Sequence, residues 1–189
     1  MHPARLAALA ALAVPLCLAA PAGAEVIKHL TPCPEGKALC PFFEAGAAPP
    51  EGWVEDRSGR EDGVLLFIPA GTTFDAAPAW IYVRAVPNEP KLPLAEIVAG
   101  DQARFREDNP DVTIEPRPDL AGPGGRGAVP VYDVVEDQGG RTVLERVATL
   151  ADQDRDGNAF AVGLILAAED PADLEKAEPA FRAMLSAYR

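Results

Sequence analysis

Two apolar runs joined by an acidic turn, between Gly139 and Asp170, constrain the fold of this chain more than any other feature. Each run has the length and the apolar character of a buried strand, and the turn at 152–157 is rich in aspartate. The pattern predicts a long β-hairpin whose arms lie in the middle of a sheet. In the second arm, large side chains alternate with small ones such as Gly163, so we expect the small face to let a helix approach closely.

Other runs of apolar, β-branched or aromatic residues, ended by proline or glycine, predict the remaining strands. These runs are 52–56, 64–68, 80–86, 111–115 and 128–136.

Two segments have the spacing of a helix. Apolar residues over 93–107 fall along one side, and a second stripe runs from the predicted N-cap Asp170 to Tyr188, where Pro179 should kink or split the helix. Consecutive strands joined by hairpins, with helices between groups of strands, predict an α+β fold: an antiparallel β-sheet with helices packed on it.

The first 24 residues have the features of an export signal. Arg5 supplies positive charge, 6–20 is an Ala- and Leu-rich run, and small residues occupy 22–24, where signal peptidase reads the chain. The run is shorter than the roughly 20 residues of a membrane-spanning helix. We therefore expect a signal peptide at 1–24, a periplasmic or secreted location, and no stable membrane insertion after cleavage. Cys17 raises the alternative of lipidation, but a proline and a leucine precede it where lipoprotein signals usually have small residues.

Cys33 and Cys40 are the two cysteines of the expected mature chain. In an exported protein, two cysteines separated by a short loop predict a disulfide. A metal or redox pair would need closer spacing or further ligands, and His29 is the mature chain's single histidine. We expect the disulfide to clip an irregular arm at 25–50, rich in Pro, Gly and Ala, ahead of a single α+β domain at 51–189.

The composition argues against several classes of function. The formal net charge of −12 repels nucleic acid and anionic lipid, so neither is expected as a partner. Catalysis through a Ser-His-acid or Cys-His pair needs a base beside the nucleophile, and His29 lies in the predicted arm. An enzyme of unknown type is therefore only the third hypothesis.

The acidic turn is the one place that resembles a metal site. Asp152, Asp154 and Asp156, followed by Gly157, match the first half of a calcium loop, in which alternate side chains converge on the ion. The match fails at the twelfth position, where Gly163 replaces the usual glutamate. The alternative interpretation is an Asp-Gly hairpin turn, with weak binding of Ca²⁺ in addition. No other cofactor is predicted.

The order of elements from Gly52 to Arg189 resembles the PsbP-like group of α/β/α-sandwich domains. The resemblance rests on the Gly52-Trp53 start, the strand that ends in Pro-x-Gly at 69–71, the strand at 80–86, the helix near 93–107, the long hairpin and the closing helix. The group includes extrinsic photosystem proteins, a eukaryotic Ran-binding relative and bacterial exported proteins of unknown role. The resemblance implies a non-enzymatic binding module, by analogy of fold.

The leading hypothesis is an exported, non-enzymatic binding or accessory protein of the cell envelope, with an unidentified protein as its partner. Trp53, Tyr82 and Arg84 are the candidate partner-binding residues. The alternative is a calcium-binding structural protein that uses the turn at 152–157.

Overall fold

The computed structural model describes residues 26–33, 36, 38–58, 62–137 and 139–188. The expected signal peptide, 1–24, and Cys17 within it lie outside these residues. In the described ranges, no helix combines the length and the apolar character needed to cross a bilayer.

The described residues form nine strands and two α-helices, with short 3₁₀ turns at Phe74–Ala76 and Pro123–Gly125. In chain order the elements are β1 (Ile27–Pro32), β2 (Leu39–Glu44), β3 (Trp53–Glu55), β4 (Val64–Pro69), β5 (Ala79–Pro87), α1 (Leu94–Asp108), β6 (Thr113–Ala121), β7 (Ala128–Asp137), β8 (Thr142–Gln153), β9 (Ala159–Ala168) and α2 (Pro171–Ala187).

Seven strands make one antiparallel sheet in the order β3-β4-β5-β9-β8-β7-β6. The β8–β9 hairpin is continuous in register from the pair Leu144–Ala168 to the pair Gln153–Ala159. Strand β9 is fourth of the seven, and β8 and β5 flank it. The prediction that the hairpin arms lie in the middle of the sheet is confirmed.

The two faces of this sheet bury separate apolar layers. On one face, Phe67, Ile81 and Leu164 belong to the same buried cluster as Phe181 and Leu185 of α2. On the other face a smaller layer packs against partly buried side chains of α1; its buried members are Tyr132, Val134, Val147 and Ile165. The alternation of large and small residues along β9 therefore separates the α2 face from the α1 face.

Residues 27–44, which we expected to be irregular, contain a second sheet. Strands β1 and β2 pair antiparallel from Ile27–Glu44 to Pro32–Leu39, and the disulfide joins Cys33 to Cys40 at the end of this ribbon. Each of these strands is short and contains a proline, so the alternation of side chains along it is too brief for the sequence to predict a strand. The strands are stabilised by pairing with each other and by the disulfide, which confirms the predicted bridge.

The structure also corrects the predicted fold class. The sequence favoured a PsbP-like α/β/α sandwich, whereas the described residues form mainly a seven-stranded antiparallel sheet with a second, two-stranded sheet and only two helices. The reason is that α2 shares its face with the ribbon, whose Phe43 packs on the same cluster. Helix α1 has no buried residue and packs on the other face through partly buried side chains alone.

Helix α2 begins as predicted and continues past its proline. The side chain of Asp170 accepts a hydrogen bond from the backbone N–H of Ala172 at 2.7 Å, and Pro171 occupies the first helical turn. The expected split at Pro179 does not occur, because one helix runs through it to Ala187. Pro179 is exposed, so water can solvate the carbonyl that the missing N–H leaves free.

Candidate functional site

A cleft of about 1020 Å³ opens at the turn end of the sheet. Its walls come from three separate segments: the β1–β2 ribbon, the loop after β5, and the β8–β9 turn at 154–158. Two aromatic rings form part of its lining, because Phe43 of β2 meets Phe160 of β9 with ring centroids 5.0 Å apart. We call this feature the ribbon cleft.

The apolar surface of the ribbon cleft continues outward along one face of the ribbon. Lys28 pairs with Phe43 and Leu30 pairs with Pro41, so alternation puts these four side chains on the same face. Leu39 belongs to that face as well, two residues before Pro41. Leu30 is 58% exposed and Leu39 is 62% exposed, so an apolar strip extends from the cleft into solvent.

The loop after β5 presents Lys91 to the cleft in an unusual backbone conformation. Its φ is +54°, and among the described residues it is the only one other than glycine with a positive φ. The loop is fixed by Asn88, which is 8% exposed and exchanges two hydrogen bonds with the backbone of Leu92. The backbone N–H of Asn88 also donates a hydrogen bond to the carbonyl of Ala159 at 2.8 Å, which ties the loop to β9.

Lys91 also lines a second cavity of about 550 Å³. Asn88, Ala159 and Phe160 are shared by both cavities. In the described part of the chain, the ammonium groups of Lys28 and Lys91 form no ion pair. The ribbon cleft therefore combines aromatic and aliphatic surface with two available cations.

The acidic turn closes one wall of the cleft, and it is built as a hairpin turn. The carboxylate of Asp154 accepts hydrogen bonds from the backbone N–H of Asp156 and from the backbone and side-chain N–H of Asn158, at 2.8–2.9 Å. The side-chain hydrogen bond from Asn158 is the main cause that lowers the pKa of Asp154. Gly157 has a φ of +81°, as the turn requires.

The three aspartates of the predicted calcium loop do not converge. Asp152 accepts a hydrogen bond from the Tyr188 hydroxyl at 2.8 Å and lies 3.4 Å from Arg126, while Asp154 is used within the turn. In the ranges that the structure describes, no group of three His, Cys, Asp or Glu side chains could hold a metal ion. The arrangement favours the turn, and calcium binding stays a prediction from the sequence.

Tyr82 and Arg84 lie two residues apart on β5 and both face α1. The Tyr82 hydroxyl donates to Oε1 of Glu145 at 2.6 Å, and Nη2 of Arg84 donates to Oδ1 of Asp101 at 3.0 Å. The other oxygen of Asp101 accepts a hydrogen bond from the Tyr132 hydroxyl at 2.7 Å. The two contacts of Asp101 attach α1 to the sheet, and the side chains of Tyr82 and Arg84 both have hydrogen-bond partners within the chain.

Burial dominates the electrostatics beneath α1. Glu145 is 5% exposed, and loss of hydration raises the pKa of its carboxyl above the ordinary value. Burial likewise raises the pKa of Tyr82, with the nearby charge of Glu145 as a further cause, so the phenol is neutral and acts as a hydrogen-bond donor. The pair is a polar contact that fixes the position of β5 relative to β8.

Trp53, the third predicted partner-binding residue, lies elsewhere. It pairs with Pro69 on β4 and packs, partly buried, against the cluster on the α2 face, which is opposite to the face of Tyr82 and Arg84. The structure therefore does not bring the three residues together. Their role in partner binding stays a prediction.

A second buried charge was not anticipated from the sequence. Arg146 of β8 is 2% exposed and donates to three carboxylates, those of Asp133 at 2.8 Å, Glu175 at 2.8 Å and Glu178 at 2.7 Å. The sequence did contain a signal for this buried charge, because Arg146 lies inside the apolar run that forms β8. Because two of the carboxylates belong to α2, this residue holds that helix on the sheet.

Comparison with known proteins gives similarity of structure but no family. No family model matches the chain, and no curated protein matches it. Among solved structures, one similar chain is the Pseudomonas aeruginosa protein PA94, described as a protein of unknown function and a candidate regulator. Its TM-score is 0.50 at 19% identity, and the match covers 85% of this chain and 94% of that one.

A second similar structure is that of a point mutant of the protein Mog1. Its TM-score is 0.45 at 16% identity, with 85% of this chain and 89% of that one covered. At such identities the similarity to PA94 concerns the fold and says nothing about function, and the lower score for Mog1 does not establish a shared fold. Neither structure is described as PsbP-like.

Proposed function

We propose that this chain is an exported, non-enzymatic binding or accessory protein of the cell envelope, and that it holds its partner in the ribbon cleft. The observation that supports this proposal is the strip of exposed apolar side chains, Leu30 and Leu39, that continues the apolar lining of the cleft. Exposed apolar surface beside a concave site is typical of a binding surface.

The side chains in the cleft favour binding over catalysis. Its described lining residues include Lys28, Glu89, Lys91 and Asp156, but no serine, cysteine or histidine. A nucleophile with an adjacent base, the usual arrangement for covalent catalysis, is therefore not found among them. The chemistry that remains consists of ion pairing, hydrogen bonding and apolar contact.

The disulfide supports the proposed compartment. A bond between Cys33 and Cys40 is consistent with an oxidising environment, and the periplasm is one such environment. The sequence features of 1–24 support the same location. We therefore place the proposed partner in the envelope.

The proposal is tested by affinity capture from an envelope fraction. The bait is the purified mature protein, compared with a Leu30→Ser/Leu39→Ser double variant and with Lys176→Gln, a change at an exposed position of α2 away from the cleft. We expect the same captured protein with the wild type and with Lys176→Gln, and at least a tenfold lower yield with the double variant. Equal capture by all three baits would show that the ribbon cleft is not the binding site.

A further inference from the structure

Lys91 adopts a left-handed backbone conformation, with a φ of +54°, and its N–H donates a hydrogen bond to the carbonyl of Asn88 at 2.9 Å. A left-handed backbone is strained for a residue other than glycine. The Lys91 ammonium forms no ion pair with the described residues, although the buried side chain of Asn88 fixes the loop around it. Strained positions held rigidly by their surroundings are concentrated at binding sites.

We infer that Lys91 is the anion anchor of the ribbon cleft, and that the occupant is an extended polypeptide segment which sets apolar side chains against Phe43 and Leu39 and a carboxylate against the Lys91 ammonium. This inference rests on the proposed function and specifies its partner. Lys28, on the same face of the ribbon as Phe43, supplies a second positive charge to the same cleft.

The shape of the site favours a polypeptide over a small molecule. The cleft of about 1020 Å³ is lined by Pro41, which pairs with Leu30 of the exposed strip, and the second cavity of about 550 Å³ shares Lys91 with the cleft. A segment in extended conformation places alternate side chains on one side, so it can reach the aromatic pair and the ribbon strip together. Lysine is suited to a single carboxylate, as a compact charge on a flexible stem.

The remaining charges of the site restrict the number of carboxylates on the occupant. Glu89, Asp154, Arg155 and Asp156 also line the cleft, and the whole chain carries a formal net charge of −12. A highly acidic segment would be repelled by these charges. The expected occupant is therefore a mainly apolar segment with one or two acidic residues, and not an acidic tract.

A displayed library of random 12-residue peptides tests the inference. The library is selected on the wild-type protein, and the enriched peptides are synthesised and titrated against Lys91→Gln, Lys91→Arg, Lys91→Gly, Leu39→Ser and the control Lys176→Gln. We expect enriched peptides to combine apolar residues with an acidic one. Their affinity should fall about tenfold in Lys91→Gln, as expected for loss of one charge-assisted hydrogen bond, and should be largely kept in Lys91→Arg and Lys176→Gln.

Lys91→Gly is the control for misfolding, because glycine adopts the left-handed conformation without strain. It should bind as weakly as Lys91→Gln while remaining folded. Peptides that lose affinity in Leu39→Ser but carry no acidic residue would overturn the anion anchor and leave the proposed function intact. If no enriched peptide depends on either Leu39 or Lys91, both proposals fail.

Discussion

Asn88 and Leu92 are joined by two hydrogen bonds, one from the Leu92 N–H to Oδ1 of Asn88 at 2.9 Å and one from Nδ2 of Asn88 to the Leu92 carbonyl at 3.0 Å. Both the donor and the acceptor of this buried amide are satisfied by the backbone of the same loop. The loop that carries Lys91 is therefore shaped before any partner arrives, which lowers the entropic cost of binding.

Replacing Asn88 with alanine should destabilise the protein by about 2 kcal/mol, because two hydrogen bonds are lost and the loop's polar groups lose their partners. The measurement is chemical denaturation at neutral pH. Asn109→Ala is the control, since the Asn109 side chain accepts one exposed hydrogen bond, from the Asp111 N–H at 3.1 Å. A loss in Asn88→Ala no larger than in the control would contradict the role assigned to this residue.

Lys91→Gly should be more stable than Lys91→Ala by about 1 kcal/mol, because alanine keeps the left-handed strain at this position and glycine removes it. The free energies of unfolding of the two variants give the comparison directly. The same pair at Lys176, within α2, should show the opposite order, since glycine weakens a helix by about 1 kcal/mol relative to alanine. If alanine were the more stable residue at both positions, the strain at Lys91 would not exist in solution.

Glu145→Gln should stabilise the protein at neutral pH. Burial raises the pKa of Glu145 in the folded state, so ionising this carboxyl disfavours folding as the pH rises above its unfolded pKa. Glutamine removes that penalty and still accepts the hydrogen bond from Tyr82. The gain should shrink as the pH falls towards 4, where the unfolded carboxyl is also protonated.

Denaturation across pH 4–8 measures this effect, with the exposed Glu51→Gln as its control. A stability difference between wild type and Glu145→Gln that does not change with pH would show that burial does not raise the pKa of this carboxyl.

Arg146→Met should cost about 3 kcal/mol, because it removes the buried cation and leaves the partly buried carboxylates of Asp133 and Glu178 with only the more exposed Arg117 and Arg182 as partners. Arg182→Met removes only an exposed partner of Glu178, and its cost should stay below about 1 kcal/mol. Thermal unfolding of both variants checks the prediction. Equal losses would mean that burial of Arg146 is not what couples α2 to the sheet.

Replacing Cys33 and Cys40 with serine should destabilise the ribbon locally. Closing a loop of this length contributes about 2–3 kcal/mol on the loop-entropy account. Hydrogen exchange should accelerate in β1 and β2 and stay unchanged in β8 and β9, whose hydrogen bonds lie in the middle of the large sheet. Equal acceleration in all four strands would instead make the disulfide a determinant of the whole fold.

The local periodicity of the sequence was sufficient to predict the central elements of the fold. The β8–β9 hairpin and α1 follow from runs that are long and regular enough to be unambiguous. The ribbon was missed because its strands are short and contain prolines, and they are stabilised by pairing. Strand β6 extends past Pro116 and Pro118 because it is an edge strand, where a missing N–H need not break a ladder.

The site was less accessible to prediction. The acidic turn was found, but whether its carboxylates meet depends on contacts from Tyr188 and Asn158 that only the folded chain brings close. Lys91 carries no signal in the sequence, since no pattern marks a lysine as left-handed. The proline-rich surroundings of Asn88 indicate a turn but not which residue would fix it.

Photo-crosslinking in the source organism tests whether the ribbon cleft is the surface that holds a partner. A photoreactive phenylalanine analogue is placed at Leu39 on the exposed strip, and in a second strain at Val54, which is 43% exposed on edge strand β3 beside Trp53. We expect a discrete adduct in the envelope fraction from Leu39 and none from Val54. Adducts from Val54 and none from Leu39 would contradict it and move the interface to the other end of the sheet.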